Sequence, residues 1–321
     1  MIRFLLLTLT ISCCFAESLL VYSERNQQLI GPVLKKFTEQ SGIPVKLFTG
    51  SGHALLQRIK GEGKSTAASI YLSTDVGTLF LAEKEKLLRA IDPQLLADVP
   101  AELRSSQSFW SGVSLRARAI FYHPELVKKQ ELSSYTQLAQ EQWKNRLCLR
   151  TSSKVYNQSL VAMLLAQFGR AQTNATLKGW VQNLQHPVFS DDSSLLKAIA
   201  KKSCAIGIAN TYYWARMLAK KQASEIQIFF PAETHINISG VAILKHAPQP
   251  ELAKKLVQWL LSAEGQKEFS QINYEYPVMK EIPLHPLLSK WPKLTPSQIS
   301  LERIGQEQRQ AMMLIEKAGY Q

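Results

Sequence analysis

A chain of 321 residues, 45% apolar and 20% charged, is long enough for two domains, each with its own core, and has the composition of a soluble globular protein. Beyond the N-terminus no apolar run approaches the ~18 residues that suggest a membrane span. The formal net charge is +13, but Lys and Arg are spread along the chain in pairs such as Lys35-Lys36 and Lys201-Lys202, which read as solvated surface and not as a nucleic-acid footprint.

In chain order, Met1-Ile2-Arg3 supplies one positive charge, Phe4 to Phe15 is almost wholly apolar, and Ala16 is a small residue suited to cleavage. This predicts a secretory signal peptide over 1–16 and a mature start near Glu17. A buried N-terminal helix, or a lipid anchor at Cys13 behind the poorly matching Thr10-Ile11-Ser12, are the other readings of these residues. Next come a short strand at 18–23, a helix over 29–40 with Leu34 and Phe37 on one face, and a strand at 43–48. A helix over 53–61, a strand at 68–73 and a helix reaching Leu87 complete a β-α-β-α-β-α run, which predicts a parallel, doubly wound sheet.

Between 109 and 122 the pattern turns extended, as a segment crossing between two lobes does. A second α/β unit follows: a strand at 146–150, a helix at 157–170, a helix at 195–202, a strand at 204–209, and a helix opened by Asn210-Thr211-Tyr212-Tyr213-Trp214. Strands at 226–230 and 238–244 and an amphipathic helix at 251–261 come next. The expected organisation is lobe 1 at 17–113 plus 238–282, lobe 2 at 114–237, and a helical tail at 283–321 packed on lobe 2. Once a signal peptide is removed Cys148 and Cys204 remain, and they read either as one disulfide or as two buried thiols, a choice that rests on geometry.

No phosphate loop, dinucleotide fingerprint, His-Glu-x-x-His run or Gly-x-Ser-x-Gly elbow is present, and the six histidines show no metal-ligand spacing. Nothing groups a nucleophile with a base, so an exported enzyme using Tyr or Asp is the weakest alternative and the chain reads as a binder. Tyrosines, by contrast, fall on the turns where strands end and helices begin, the usual ligand position of open α/β sheets. Tyr212 and Tyr213 follow one strand, and Tyr156 follows the Thr151-Ser152-Ser153 turn after another. Phenolates are hard oxygen donors suited to a small, highly charged cation such as Fe3+. A Tyr-Tyr-Trp run also serves core or interlobe packing, with area plus one hydrogen bond per phenol.

Asn210-Thr211-Tyr212-Tyr213 after a strand resembles the motif of periplasmic ferric-ion-binding proteins, as do the run from Arg150 to Leu160, Ser114-Leu115-Arg116-Ala117-Arg118-Ala119, and Asn237-Ile238-Ser239-Gly240-Val241. The similarity extends from about Ser18 to Val278. It implies the α/β type II periplasmic-binding-protein fold of two doubly wound lobes joined by crossing strands. It also implies a periplasmic monomer that delivers iron to an inner-membrane ABC permease.

By position, Tyr156, Tyr212 and Tyr213 would be phenolate ligands of Fe3+. Arg116 would hold a synergistic anion such as carbonate, with Ser153 in the same anion set and the helix N-terminus near 151–153 adding N–H donors. Asp75 would be a ligand, an acceptor behind the ligands or, as favoured here, a helix N-cap. The chain departs from the family in its first loop: relatives often carry His or His-Tyr after Ser-x-Arg, whereas Ser23-Glu24-Arg25 is followed by Asn26-Gln27. Glu24, Asn26, water or the anion is left to serve there, and an iron chelate or a small organic anion is the alternative ligand.

Overall fold

The computed structural model describes residues 18–321, so the signal peptide expected at 1–16 lies outside the described residues. Lobe 1 opens with β1 (Leu19–Ser23), α1 (Gln27–Ser41), β2 (Val45–Thr49), α2 (Gly52–Glu62), β3 (Ile70–Ser73) and α3 (Val76–Lys84). β1 lies between β2 and β3 and is parallel to both. Its residues are apolar on both faces because helices cover both sides of a parallel sheet. The Asn26 side chain caps the start of α1, and Gly42, in the left-handed region at φ 71°, ends it.

Two long strands join the lobes. β5 (Ser111–Tyr122) runs antiparallel to β9 (Ile236–Leu244) over Ser111–Ala117, then leaves it to pair with β7 (Ile206–Asn210) and β8 (Gln227–Phe229) over Arg118–Tyr122. β9 in turn passes from β5 to β3 and to the short β4 (Leu88–Arg89). With β6 (Leu147–Cys148) parallel to β7, the strand order is β2-β1-β3-β9-β5-β7-β6. This is the pair of doubly wound lobes on crossing strands expected from the sequence, with an antiparallel strand in each lobe where the crossing occurs. The largest apolar cluster does not stop at the lobe boundary: it runs from Val21 and Phe37 through to Leu160 and Trp180. A smaller one surrounds Cys148 and Cys204, which are bonded across a Cα–Cα distance of 6.0 Å.

Several elements differ from their sequence reading. α4 (Val155–Gln182) is two helical stretches joined at Gly169, whose φ 75° and ψ 177° only glycine adopts easily. The second stretch continues past the predicted end because Thr173, Thr176, Leu177 and Trp180 bury one face. The strand predicted at 146–150 pairs with β7 only at Leu147 and Cys148, after which the chain bonds to the segment around Phe189. α5 (Asp192–Ala200), α6 (Thr211–Ala219) and α7 (Pro250–Leu260) lie where predicted; α8 (Ala263–Asn273) had no sequence signal.

The tail departs from its predicted place. Trp291 stacks on Trp214 of lobe 2 with ring centroids 5.3 Å apart, as expected. But α9 (Leu301–Ala318) lies against both α4 of lobe 2 and α3 of lobe 1, not on lobe 2 alone. Its Gly305 permits this, since a Cβ there would come within 2.7 Å of Phe80 on α3.

Candidate metal centre

Tyr212 and Tyr213 occupy the first turn of α6, directly after β7. Successive side chains turn by about 100° on a helix, against the alternation of a strand, so neighbouring rings can lie together. Here they stack, with centroids 4.2 Å apart and planes 30° apart. Tyr212 is buried and Tyr213 half-buried. Burial first, and then the neighbouring Tyr213 phenol, push the Tyr212 phenol well above its ordinary value, while the guanidiniums of Arg116 and Arg25 oppose the shift. One turn on, the Arg216 guanidinium lies 5.9 Å from the centre of the Tyr212 ring. Asn210, just before the pair, is fully buried and neither polar atom of its side chain has a protein partner.

Arg116 lies on the crossing strand β5, 2% exposed. It donates to Ser239 Oγ at 2.7 Å and to the Thr74 carbonyl, and lies 3.9 Å from the Glu275 carboxylate. Arg25 forks onto both oxygens of Glu275 at 2.7 and 3.1 Å and shares Ser239 Oγ with Arg116. The Glu275 carboxyl is held below its ordinary value: burial opposes ionisation, but Arg25 and Arg116 outweigh it.

Tyr156, in the first turn of α4, does not join the stacked pair. Its hydroxyl accepts from Arg150, and the guanidiniums of Arg118 and Arg150 lie 5.2 and 5.0 Å from its ring centre. Both arginines share one carboxylate, Asp192, at 3.1 and 3.6 Å. Ser153 is exposed and paired only with Thr151 in the preceding turn. No side chain caps α4, and a helix start without a side-chain cap leaves its first N–H groups available to an anion.

The lobe 1 candidates are otherwise occupied. Asn26 accepts from Leu29 N at 3.2 Å as the α1 cap. Glu24 accepts from Thr78 at 2.6 Å, from Thr74 Oγ1 at 2.8 Å and from Tyr71, all within lobe 1. Asp75 is the α3 N-cap, taking Gly77 N at 2.8 Å, and its carboxylate also accepts from Ser159 of α4. Burial raises Asp75 to about 7, and its second oxygen has no partner. Among the described residues no three His, Cys, Asp or Glu side chains gather where they could hold a metal ion. Sequence reasoning missed Glu275 and Arg216 and gave Arg25 no role. The Ser-x-Arg run was the one available signal for Arg25, and Glu275 sits in a stretch without a motif.

The model of the bacterial extracellular solute-binding protein family matches residues 33–296. Iron uptake protein A1 of Synechocystis is 35% identical, over 94% of this chain and 86% of its own length. The major ferric iron-binding protein of Neisseria meningitidis is 26% identical over 99% and 98%. Among solved structures, Trichodesmium FutA (IdiA), in complex with iron and citrate ligands, superposes with a TM-score of 0.88 at 34% identity, covering 95% of this chain and all of that one. The apo ferric ion-binding protein A of Pasteurella haemolytica gives 0.89 at 32% identity over 94% and 98%. The two-lobed architecture is thus that of periplasmic binding proteins, and with the family model covering most of its length the chain belongs to the bacterial extracellular solute-binding proteins.

Proposed function

We propose that this protein captures Fe3+ in the cleft between its lobes and delivers it, as a periplasmic monomer, to an inner-membrane ABC permease. Tyr212 and Tyr213 supply phenolates, Tyr156 joins them by leaving Arg150, and Arg116 holds a co-bound anion such as carbonate. Ser153 and the uncapped start of α4 offer that anion further donors. The observation that carries the reading is the stacked tyrosine pair at the head of α6, with buried guanidiniums beside it and no cluster of His, Cys or acidic ligands among the described residues. Hard phenolate oxygens suit a trivalent cation, and the cation's charge stabilises the ionised form of even a buried phenol. The ferric-iron names of its relatives support the same reading. On adding Fe3+ with bicarbonate at neutral pH, the protein gives a visible phenolate-to-iron charge-transfer band. Tyr212→Phe or Tyr213→Phe removes most of it, and a native protein without the band rules the proposal out.

One observation favours a variant of this reading. In the first loop of lobe 1 both candidate donors are engaged, because Asn26 caps a helix and Glu24 is held by Tyr71, Thr74 and Thr78. A polycarboxylate that arrives with the iron would fill the open side of the shell, in line with the relative solved with iron and citrate ligands. Calorimetry with ferric citrate against Fe3+ plus bicarbonate separates the two.

A further inference from the structure

Glu275 follows α8 and is fully buried. It draws together parts distant in sequence: Arg25 from the loop after β1, Ser114 and Arg116 from β5, and through them Ser239 of β9. Arg25 receives the strong, bidentate geometry, and Arg116 is tied to it through the shared Ser239 hydroxyl. Within this group two buried guanidiniums meet one carboxylate, so the three side chains together keep one positive charge. Arg216 adds a further guanidinium beside Tyr212, and the buried Asp75 carboxyl acts on Arg116 from the other direction, so Glu275 sets one part of the local charge and not the whole of it.

We propose that Glu275 is the specificity-determining residue of the anion slot: it positions Arg25 and Arg116 and, by cancelling one of their two charges, sets the slot for a singly charged anion over a multiply charged one. Glu275 need not touch the anion. It acts through the arginines, as a positioning residue. This inference rests on the reading that Arg116 holds the co-bound anion, and it does not require that the cation be iron. In a site this dry, one unit of charge at hydrogen-bonding range decides between ligands, since its effect falls only slowly with distance and is little screened.

The test uses metal-free protein at fixed ionic strength and pH 7.5, titrated calorimetrically with bicarbonate, sulfate and citrate. Glu275→Gln adds one net positive charge, and the ratio of citrate to bicarbonate affinity rises about tenfold. Arg25→Met removes one and moves the ratio the other way by a similar factor. Glu275→Asp keeps the charge and restores the wild-type ratio, even if binding weakens overall. If Glu275→Gln does not fold, the Arg25→Met shift alone decides. Any of three results overturns the proposal: a ratio unmoved by either substitution, a Glu275→Asp ratio as altered as that of Glu275→Gln, or a wild type that binds none of the three anions. The charge-transfer band of the iron-loaded wild type is read separately. Its absence removes the iron reading and leaves the anion ratios standing.

Discussion

At the residue scale, Asp75 is where burial and charge conflict most openly. The carboxyl is fully buried, one oxygen has no partner, and burial raises it from an ordinary 3.8 to about 7 in spite of the Ser159 hydroxyl, Gly77 N–H and Arg116 that favour its ionised form. Because the folded value lies above the unfolded one, the folded protein binds the proton more tightly. The stability this confers is fully present below about pH 4 and is lost as pH rises through about 7. Asp75→Asn keeps the cap and removes the ionisation. Urea unfolding of metal-free protein at pH 4.5 and 7.5 is therefore expected to show the wild type losing stability relative to the Asn variant by roughly 2–4 kcal/mol over that interval. The cap role was legible in the sequence, because an Asp directly after a strand and before an apolar helix has few other uses. The company it keeps was not: Ser159 is 84 residues away, and only the fold brings it to Asp75. The same holds for Glu275, whose partner Arg25 is 250 residues upstream. Tyr212 and Tyr213 needed no such contact to be noticed, since their position at a strand end is local.

At the element scale, local signals decided most of the fold. Short apolar runs and helical spacing located β1 to α3 within a few residues: β1 and β3 are almost wholly buried, and α1 and α2 each bury one apolar face. α4 defeated the same reasoning at Gly169, where the chain breaks its helix and resumes it. A side chain at 169 would have open space but the wrong backbone angles. Gly169→Ala is accordingly expected to cost about 1–3 kcal/mol in urea unfolding from backbone strain alone. The bond between Cys148 and Cys204 ties β6 to the turn before β7 across 56 residues of sequence. The paired change Cys148→Ala/Cys204→Ala releases that loop in the unfolded chain and is expected to lower stability by about 2–4 kcal/mol, read by the same unfolding experiment under non-reducing conditions. No periodicity distinguished this pair from two buried thiols; only the approach of two strands does.

At the scale of the whole molecule, the lobes meet in more places than their crossing strands. Ser159 of α4 donates to Asp75 at the head of α3, and Gln308 of α9 lies beside both Ser159 and Gly77. α9 therefore touches the two bodies whose separation would open the cleft. Ser159→Ala removes this link between α4 and α3 and takes nothing from the apolar cluster that the lobes share. It is expected to raise the radius of gyration of the metal-free protein in small-angle scattering and to speed iron loss to a chelator about three- to tenfold, the effect of one net hydrogen bond. An unchanged scattering profile together with an unchanged release rate counts against a latch at this position. The tail's double attachment was not legible because an amphipathic helix announces only that it has a buried face, not how many partners share it.

The loop that leads into Tyr156 is held by residues far downstream. The Tyr320 hydroxyl donates to the Arg150 carbonyl at 2.6 Å, Ser152 Oγ donates to the Tyr320 carbonyl at 2.9 Å, and Ser152 N donates to the Gln321 carbonyl at 2.8 Å. The two side-chain bonds span 170 and 168 residues. All three bonds need residues 320 and 321, so the loop stays unfastened until that part of the chain is in place, and removal of the last two residues is expected to loosen it.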